Sequence, residues 1–311
     1  MTTLLTFRDN IKSFLGRFDF IFAPIGKGVA ALFIFIMLNS QMGYMTALNS
    51  MVLLLGLAFL CAFVPVEIMA GVGFIMMILH SFKVSLDVGI LALAFALVFY
   101  CSYMRMSPKT GIIVLIVPIC YALHATYAIP ILLGFIVGPA AIVPAIFGVV
   151  LYYYQVGLVD LSNVLAATSE EEAVQGYRYI IELLMDNKFM LLTFVVFACV
   201  ILVTYLIYRM SFSNSWIVAF IVGGVLNVVL FLAGSVTLMV DVELTSVVLG
   251  SLVGILLAFF LQFCKGMVDY SRTELLQFED DEYYYYVKAI PKMTVAETNK
   301  NVKHINSKTQ K

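Results

Sequence analysis

The chain is 311 residues long, 63% hydrophobic and only 12% charged, with a formal net charge of −1 and a mean hydropathy of +1.03. Soluble domains are roughly half apolar and a quarter charged, so this composition excludes a soluble globular domain. The few charges are clustered, and nothing in them points to nucleic acid as a partner. The apolar excess falls into runs of about 20 residues, the length that crosses a bilayer as a helix, without the alternation of a barrel strand. The expected fold class is an all-α polytopic membrane bundle of about eight to nine transmembrane helices, with the lipid bilayer as its first partner.

In residues 1–19, Leu4, Phe7, Ile11, Phe14, Leu15 and Phe18 recur at three- and four-residue spacing, with Arg8, Lys12 and Arg17 among the polar positions. That pattern predicts an amphipathic helix lying in the membrane interface. Its charges interleave with apolar residues and do not form a cleaved signal peptide. A first transmembrane bundle is expected over residues 20–154. Its spans are Phe20–Asn39, with Lys27 snorkelling to the surface, then Tyr44–Val64, Ile68–Phe82, Val88–Met104 and Gly111–Tyr127. Glu67 falls at a headgroup boundary. His80, Lys83 and Asp87 read as a solvated span end.

The stretch Gly111–Tyr154 is apolar throughout, yet it carries Pro118, Pro130, Pro139 and Pro144, half of the chain's eight prolines. Each proline removes a backbone donor and clashes with the preceding turn. The stretch is too long for one crossing. Its second half, Ile131–Tyr154, reads as a re-entrant hairpin broken at Gly138-Pro139 and Pro144, as a proline-kinked ninth span, or as part of a stretch with enough short pieces for an even number of crossings. Charge favours re-entry. Short cytoplasmic loops collect Lys and Arg, and the bases beside spans are Arg8 to Lys27, Arg105/Lys109, Arg209 and Lys265/Arg272. Arg105 and Arg209 share a side only if the three apolar blocks between them make an even number of crossings.

Residues 155–188 read as an acidic extramembrane segment. Ser169-Glu170-Glu171-Glu172 fits a capping box, followed by an apolar stripe of Val174, Tyr177, Ile181, Leu184 and Met185. A second transmembrane bundle, residues 189–264, holds the spans Phe189–Tyr208, Trp216–Val240 and Leu244–Cys264. Asn227 is expected to bond between helices. Ser246, Gly250, Gly254 and Ala258 line one face of the last span and permit close helix approach; an internal contact is favoured over a homo-oligomer interface. In the cytoplasmic tail, residues 265–311, the acidic run Glu279, Asp280, Asp281 and Glu282 precedes a strand-prone tract of Tyr283, Tyr284, Tyr285 and Tyr286. A basic, disordered end is expected after it.

Cys61, Cys101, Cys120, Cys199 and Cys264 form no metal-ligand spacing and read as small apolar packers. No P-loop, zincin or nucleophile-elbow motif is present, so catalysis, a metal and a cofactor are not expected, and ATP-driven action needs a separate ATPase subunit. Interrupted helices build binding sites in transporters. The expected ligand site is therefore Tyr121, His124 and Thr126 together with Gly134, Gly138, Pro139 and Pro144. The function expected is a transporter or permease-like subunit of a bacterial plasma membrane, with both termini cytoplasmic. The alternative is a scaffold that recruits a cytosolic partner through residues 278–291.

Overall fold

The computed structural model describes residues 18–167, 176–211, 214–265, 274–279 and 283–289. The N-terminal amphipathic segment, the capping box and Asp280–Glu282 lie outside these residues. The chain divides into a unit of Phe20–Leu261 and a unit made of its two ends. The first unit is a helical membrane bundle. Its helices are α1 (Asp19–Met42), α2 (Met51–Phe63), α3 (Val66–Val84), α4 (Leu86–Phe99), α5 (Ile113–Ala122), α6 (Ile129–Ile136), α7 (Ile142–Ala167), α8 (Gly176–Met185), α9 (Lys188–Tyr208), α10 (Ser215–Leu238) and α11 (Leu244–Lys265). A wider turn carries α4 on to Met104, and short tight turns precede α5, α6 and α7. Seven helices among the described residues are long and apolar enough to cross a membrane: α1, α3, α4, α7, α9, α10 and α11. The apolar residues they turn outward, such as Ile90, Val195 and Leu256, suit a lipid environment, where no water competes for backbone groups.

The α2 helix is too short to span at full thickness, but it still returns along α1. A Cβ at Gly28 would meet the Ala62 side chain at 3.3 Å, so the end of α2 lies beside the first half of α1. The other end of this pair is closed by a hydrogen-bonded cluster. His80 accepts the Met45 N–H at Nδ1 (3.1 Å) and meets Asn39 Oδ1 at 2.7 Å through Nε2. Asn39 in turn donates to the Leu48 carbonyl. The acceptor role of Nδ1 places the proton on Nε2. His80 is fully buried, which corrects its reading as a solvated span end: its two partners replace water.

The proline-rich stretch folds neither as a hairpin of Ile131–Tyr154 nor as a kinked ninth span, but as several pieces, two short helices and one long one. Its helix does break at Gly138, whose φ of +81° suits glycine. The part that enters and returns, however, is Pro108–Ile136 rather than Ile131–Tyr154. The α5 and α6 helices are antiparallel and joined at His124. The remainder, Pro139–Leu165, is one long apolar helix. Tyr103 shows why both ends of the hairpin lie together. Its hydroxyl meets Thr110 Oγ1 at 2.7 Å, just before α5, and donates to the Ala140 carbonyl, just before α7. Pro144 has no N–H to offer that carbonyl from the next turn, and the tyrosine hydroxyl takes its place.

The long α7 also corrects the boundary at residue 155. Leu151, Tyr154, Leu158 and Leu161 are all buried against the first half of the bundle. This three- and four-residue spacing carries the helix through Gln155 into what reads as an extramembrane segment. Tyr154 anchors it, donating to Ser81 Oγ at 2.8 Å and to the Val88 carbonyl at 3.1 Å. Helix α8 packs through Gly176 and Ile180 on Leu161, Val88 and Gly157. Of the expected stripe, Leu184 packs on the bundle while Tyr177, Ile181 and Met185 are exposed, because Gly176 and Ile180 form the face that approaches closest.

In the second unit, β1 (Glu274–Glu279) and β2 (Tyr284–Ala289) form an antiparallel hairpin, with Glu279 paired to Tyr284 and Gln277 to Tyr286. The tyrosine tract is a strand, as its propensity suggests; its partner strand, which the sequence reading missed, is the preceding stretch of the same tail.

Replacing Tyr103 with Phe should lower the stability of the detergent-solubilised protein by about 1 kcal/mol, read as a drop in thermal midpoint, while Tyr100→Phe, at an exposed ring, should leave it unchanged.

Candidate functional site at the tip of the hairpin

The hairpin of α5 and α6 is shorter than the helices around it, so its tip ends inside the bundle. Two contacts with α9 set its depth. At the base, a Cβ on Gly138 would meet the Tyr205 ring at 2.6 Å. Near the tip, Tyr121 faces Thr193. Thr193 and Tyr205 are about 18 Å apart along a helix. The first residue of α9, Lys188, lies about 8 Å beyond Thr193, so Tyr121 is recessed by roughly that distance from the far end of α9, and the turn at His124, three residues on, by less.

The helix ends at the tip are built by a specific backbone pattern. Ala125 N–H bonds the Cys120 carbonyl at 2.8 Å and His124 N–H bonds the Tyr121 carbonyl at 3.0 Å. This pair of bonds closes a helix with one left-handed residue, usually glycine. Here that residue is His124, at φ +56°, and its side chain is exposed at the turn. A left-handed conformation costs a residue with a Cβ roughly 1–2 kcal/mol.

The polar groups around the tip come from five helices. Tyr121 stacks on Tyr152 of α7 at 4.0 Å and meets Tyr153 edge-on at 6.2 Å. Its hydroxyl faces Thr193, but no group completes a well-formed hydrogen bond with it. On the α6 side, Asn227 of α10 donates to the Tyr127 carbonyl at 3.0 Å and to Ser251 Oγ of α11 at 2.9 Å. Asn227 thus bonds between helices as expected. Gly250 and Gly254 let α11 lie directly on the hairpin: a Cβ at Gly254 would meet Ala128 Cα at 2.8 Å, and one at Gly250 would meet Tyr127 Cβ at 2.9 Å. The small-residue face of the last span is an internal packing surface at these positions.

The expected ligand residues fall into two groups. Tyr121, His124 and Thr126 gather at the tip, with Thr126 buried. Gly134, Gly138, Pro139 and Pro144 lie at or toward the base. Gly134 has a packing role, since a Cβ there would meet the Ile201 carbonyl and Thr204 Cβ, both at 2.9 Å. Pro139 opens the turn before α7, and Pro144 is buried in its first turn. The residues that sequence reading left out are Tyr152, Thr193 and Gln155; the last was taken for the start of a loop. The signal that would have found them is the apolar period through Leu158 and Leu161, which keeps Tyr152 and Gln155 inside a helix.

No family model matches the chain, and neither a curated protein nor a solved structure does.

Gly134→Ala should cost about 1–3 kcal/mol, because the added methyl meets helix backbone that must move away; a thermal-melting comparison with Gly26→Ala, where nothing lies within 4 Å, isolates the effect. His124→Gly should raise stability by about 1 kcal/mol by relieving the left-handed turn, and His124→Ala should not.

Proposed function

We propose that this chain is a permease-like membrane protein in which the tip of the α5–α6 hairpin forms part of a substrate path. The supporting observation is the recessed junction of two short helices at His124. Their ends stand inside the bundle, next to the hydroxyls of Tyr121 and Thr193. Non-helical backbone at membrane depth is tolerated where it is enclosed by protein or lines a cavity, and broken helices of this kind build binding sites in transporters. A histidine held in a left-handed turn adds to this, since strained positions concentrate at functional sites.

Charge supports an orientation in a plasma membrane in which the chain enters and leaves the bundle on the cytoplasmic side. Lys27, Arg105, Lys109 and Arg209 occupy the end that holds the hairpin base. Asp87, Asp160, Glu182, Asp186, Asp241 and Glu243 outnumber Lys83, Arg178 and Lys188 at the other, while Glu67 is an acid on the basic side. Bases favour the cytoplasmic side. The role is binding and translocation rather than catalysis, and coupling to ATP requires a separate subunit.

The second reading, a scaffold, draws on the tail hairpin. Tyr284 and Tyr286 of β2 are largely exposed, and a strand edge of this kind adds to a partner's sheet.

Single-cysteine variants in a cysteine-free background test the proposal with a charged, membrane-impermeant thiol reagent. Lys109→Cys and Ser211→Cys should react from one side and Asp241→Cys from the other. His124→Cys should also react, from the Asp241 side, because a substrate path at the tip is wet. A His124→Cys protein that resists the reagent while reacting with a lipid-soluble maleimide would place the tip in lipid and favour the scaffold.

A further inference from the structure

The most unusual polar group of the bundle is the carboxamide of Gln155. It is 2% exposed, and neither its Nε2 nor its Oε1 has a hydrogen-bond partner. Buried amides are nearly always paired, so this one calls for a physical reason.

Its surroundings follow from its neighbours on α7. Gly148, Gln155 and Ser162 are spaced by seven residues and share one helix face. At Gly148 that face meets α5, where a Cβ would touch Val117 at 2.6 Å. At Ser162 it meets the segment after α1, where Tyr44 Oη lies 2.8 Å from Ser162 Oγ. Gln41, one turn before Tyr44, donates to the Pro118 carbonyl of α5 at 3.4 Å. The stretch Gln41–Tyr44 therefore runs from α5 to Ser162 and closes over Gln155. Tyr152, a turn below, carries the stacked ring of Tyr121, whose hydroxyl likewise lacks a well-formed bond. Two incompletely satisfied polar side chains thus lie within about a helical turn of each other at the recessed tip.

The chemistry around them is neutral. Among the described residues none that is buried is Asp, Glu, Lys or Arg. Asp160, the nearest acid along α7, is half-buried and lies more than a turn away on another face. An ion here would lack a counter-charge. A carboxamide supplies a donor and an acceptor side by side, and a phenol supplies either.

The geometry points to a binding site for a small uncharged molecule bearing an amide or hydroxyl group, held by the Gln155 carboxamide and the Tyr121 hydroxyl above the hairpin tip. This deepens the permease reading and rests on it for the direction of travel, though not for the binding itself. Loss of such a hydrogen-bonding group reduces affinity by about tenfold.

The full chain, purified and reconstituted in lipid vesicles, tests the site with urea, acetamide and glycerol as probes and potassium gluconate as the charged control. Two quantities are read for wild type, Gln155→Leu and Gln155→Glu: probe permeation by light scattering, and the thermal midpoint with and without each probe. At least one neutral probe should permeate wild-type vesicles about tenfold faster than protein-free ones and raise the midpoint, with gluconate doing neither. Gln155→Leu should abolish both effects yet melt no lower than wild type without probe, since it removes an unpaired buried group. A lower melting point for Gln155→Leu, or probe effects unchanged in it, overturns the site: the carboxamide is then a structural group satisfied by ordered water. A midpoint shift lost in Gln155→Leu without permeation in wild type keeps the site and removes the permease reading. Neither effect in wild type removes both. A hydroxyl-bearing lipid head shares this chemistry, and dioleoylglycerol added to the vesicles separates the sources: it raises the wild-type midpoint and blocks the probes only where the ligand comes from the bilayer.

Discussion

Proline at position 144 leaves the Ala140 carbonyl without its helical donor, and the Tyr103 hydroxyl supplies one from another helix. That substitution of a side chain for a backbone N–H governs the rest of the bundle. The same hydroxyl meets Thr110, so the residues before α5 and before α7 are held at one point. Everything between them must then leave and return. With about 30 residues and a turn at His124, the segment makes two helices shorter than their neighbours and a tip that stops inside the bundle.

Close packing keeps the hairpin in place once its ends are tied. Gly134 brings α6 onto the backbone of α9, and Gly254 brings α11 onto Ala128. Without a hydrophobic driving force between helices in lipid, such close approach and a few interhelical hydrogen bonds carry association. Asn227 supplies two of those bonds, one to the Tyr127 carbonyl just before α6 and one to Ser251 of α11. The α5 side is different. Tyr121 and Gln155 are enclosed but incompletely bonded. The α6 side leaves one amide oxygen, Asn227 Oδ1, without a partner, whereas the α5 side leaves a whole carboxamide and a phenol incompletely bonded.

The membrane class, most spans and the position of the helix break were legible in the sequence. Apolar run length and glycine-proline chemistry are local properties, so they survive without tertiary context. The break at Gly138 and the interhelical role of Asn227 belong to this group. The identity of the re-entrant part was not legible. Counting basic residues required an even number of crossings between Arg105 and Arg209, and the structure satisfies that parity with a different segment.

Parity is a sum along the chain and is indifferent to which block turns back. The Tyr103 contacts, which span 37 residues to Ala140, carry that information, and no window of sequence contains it. The same holds for Gln155 and His80. As letters they are polar residues near the ends of apolar runs, and the expected place for them is water. Long-range packing buries both, His80 against α1 and the segment after it and Gln155 against its neighbours across the bundle. It provides His80 with Asn39 and Met45 and leaves Gln155 with none, because pairing depends on which helix ends arrive beside a side chain rather than on the side chain itself.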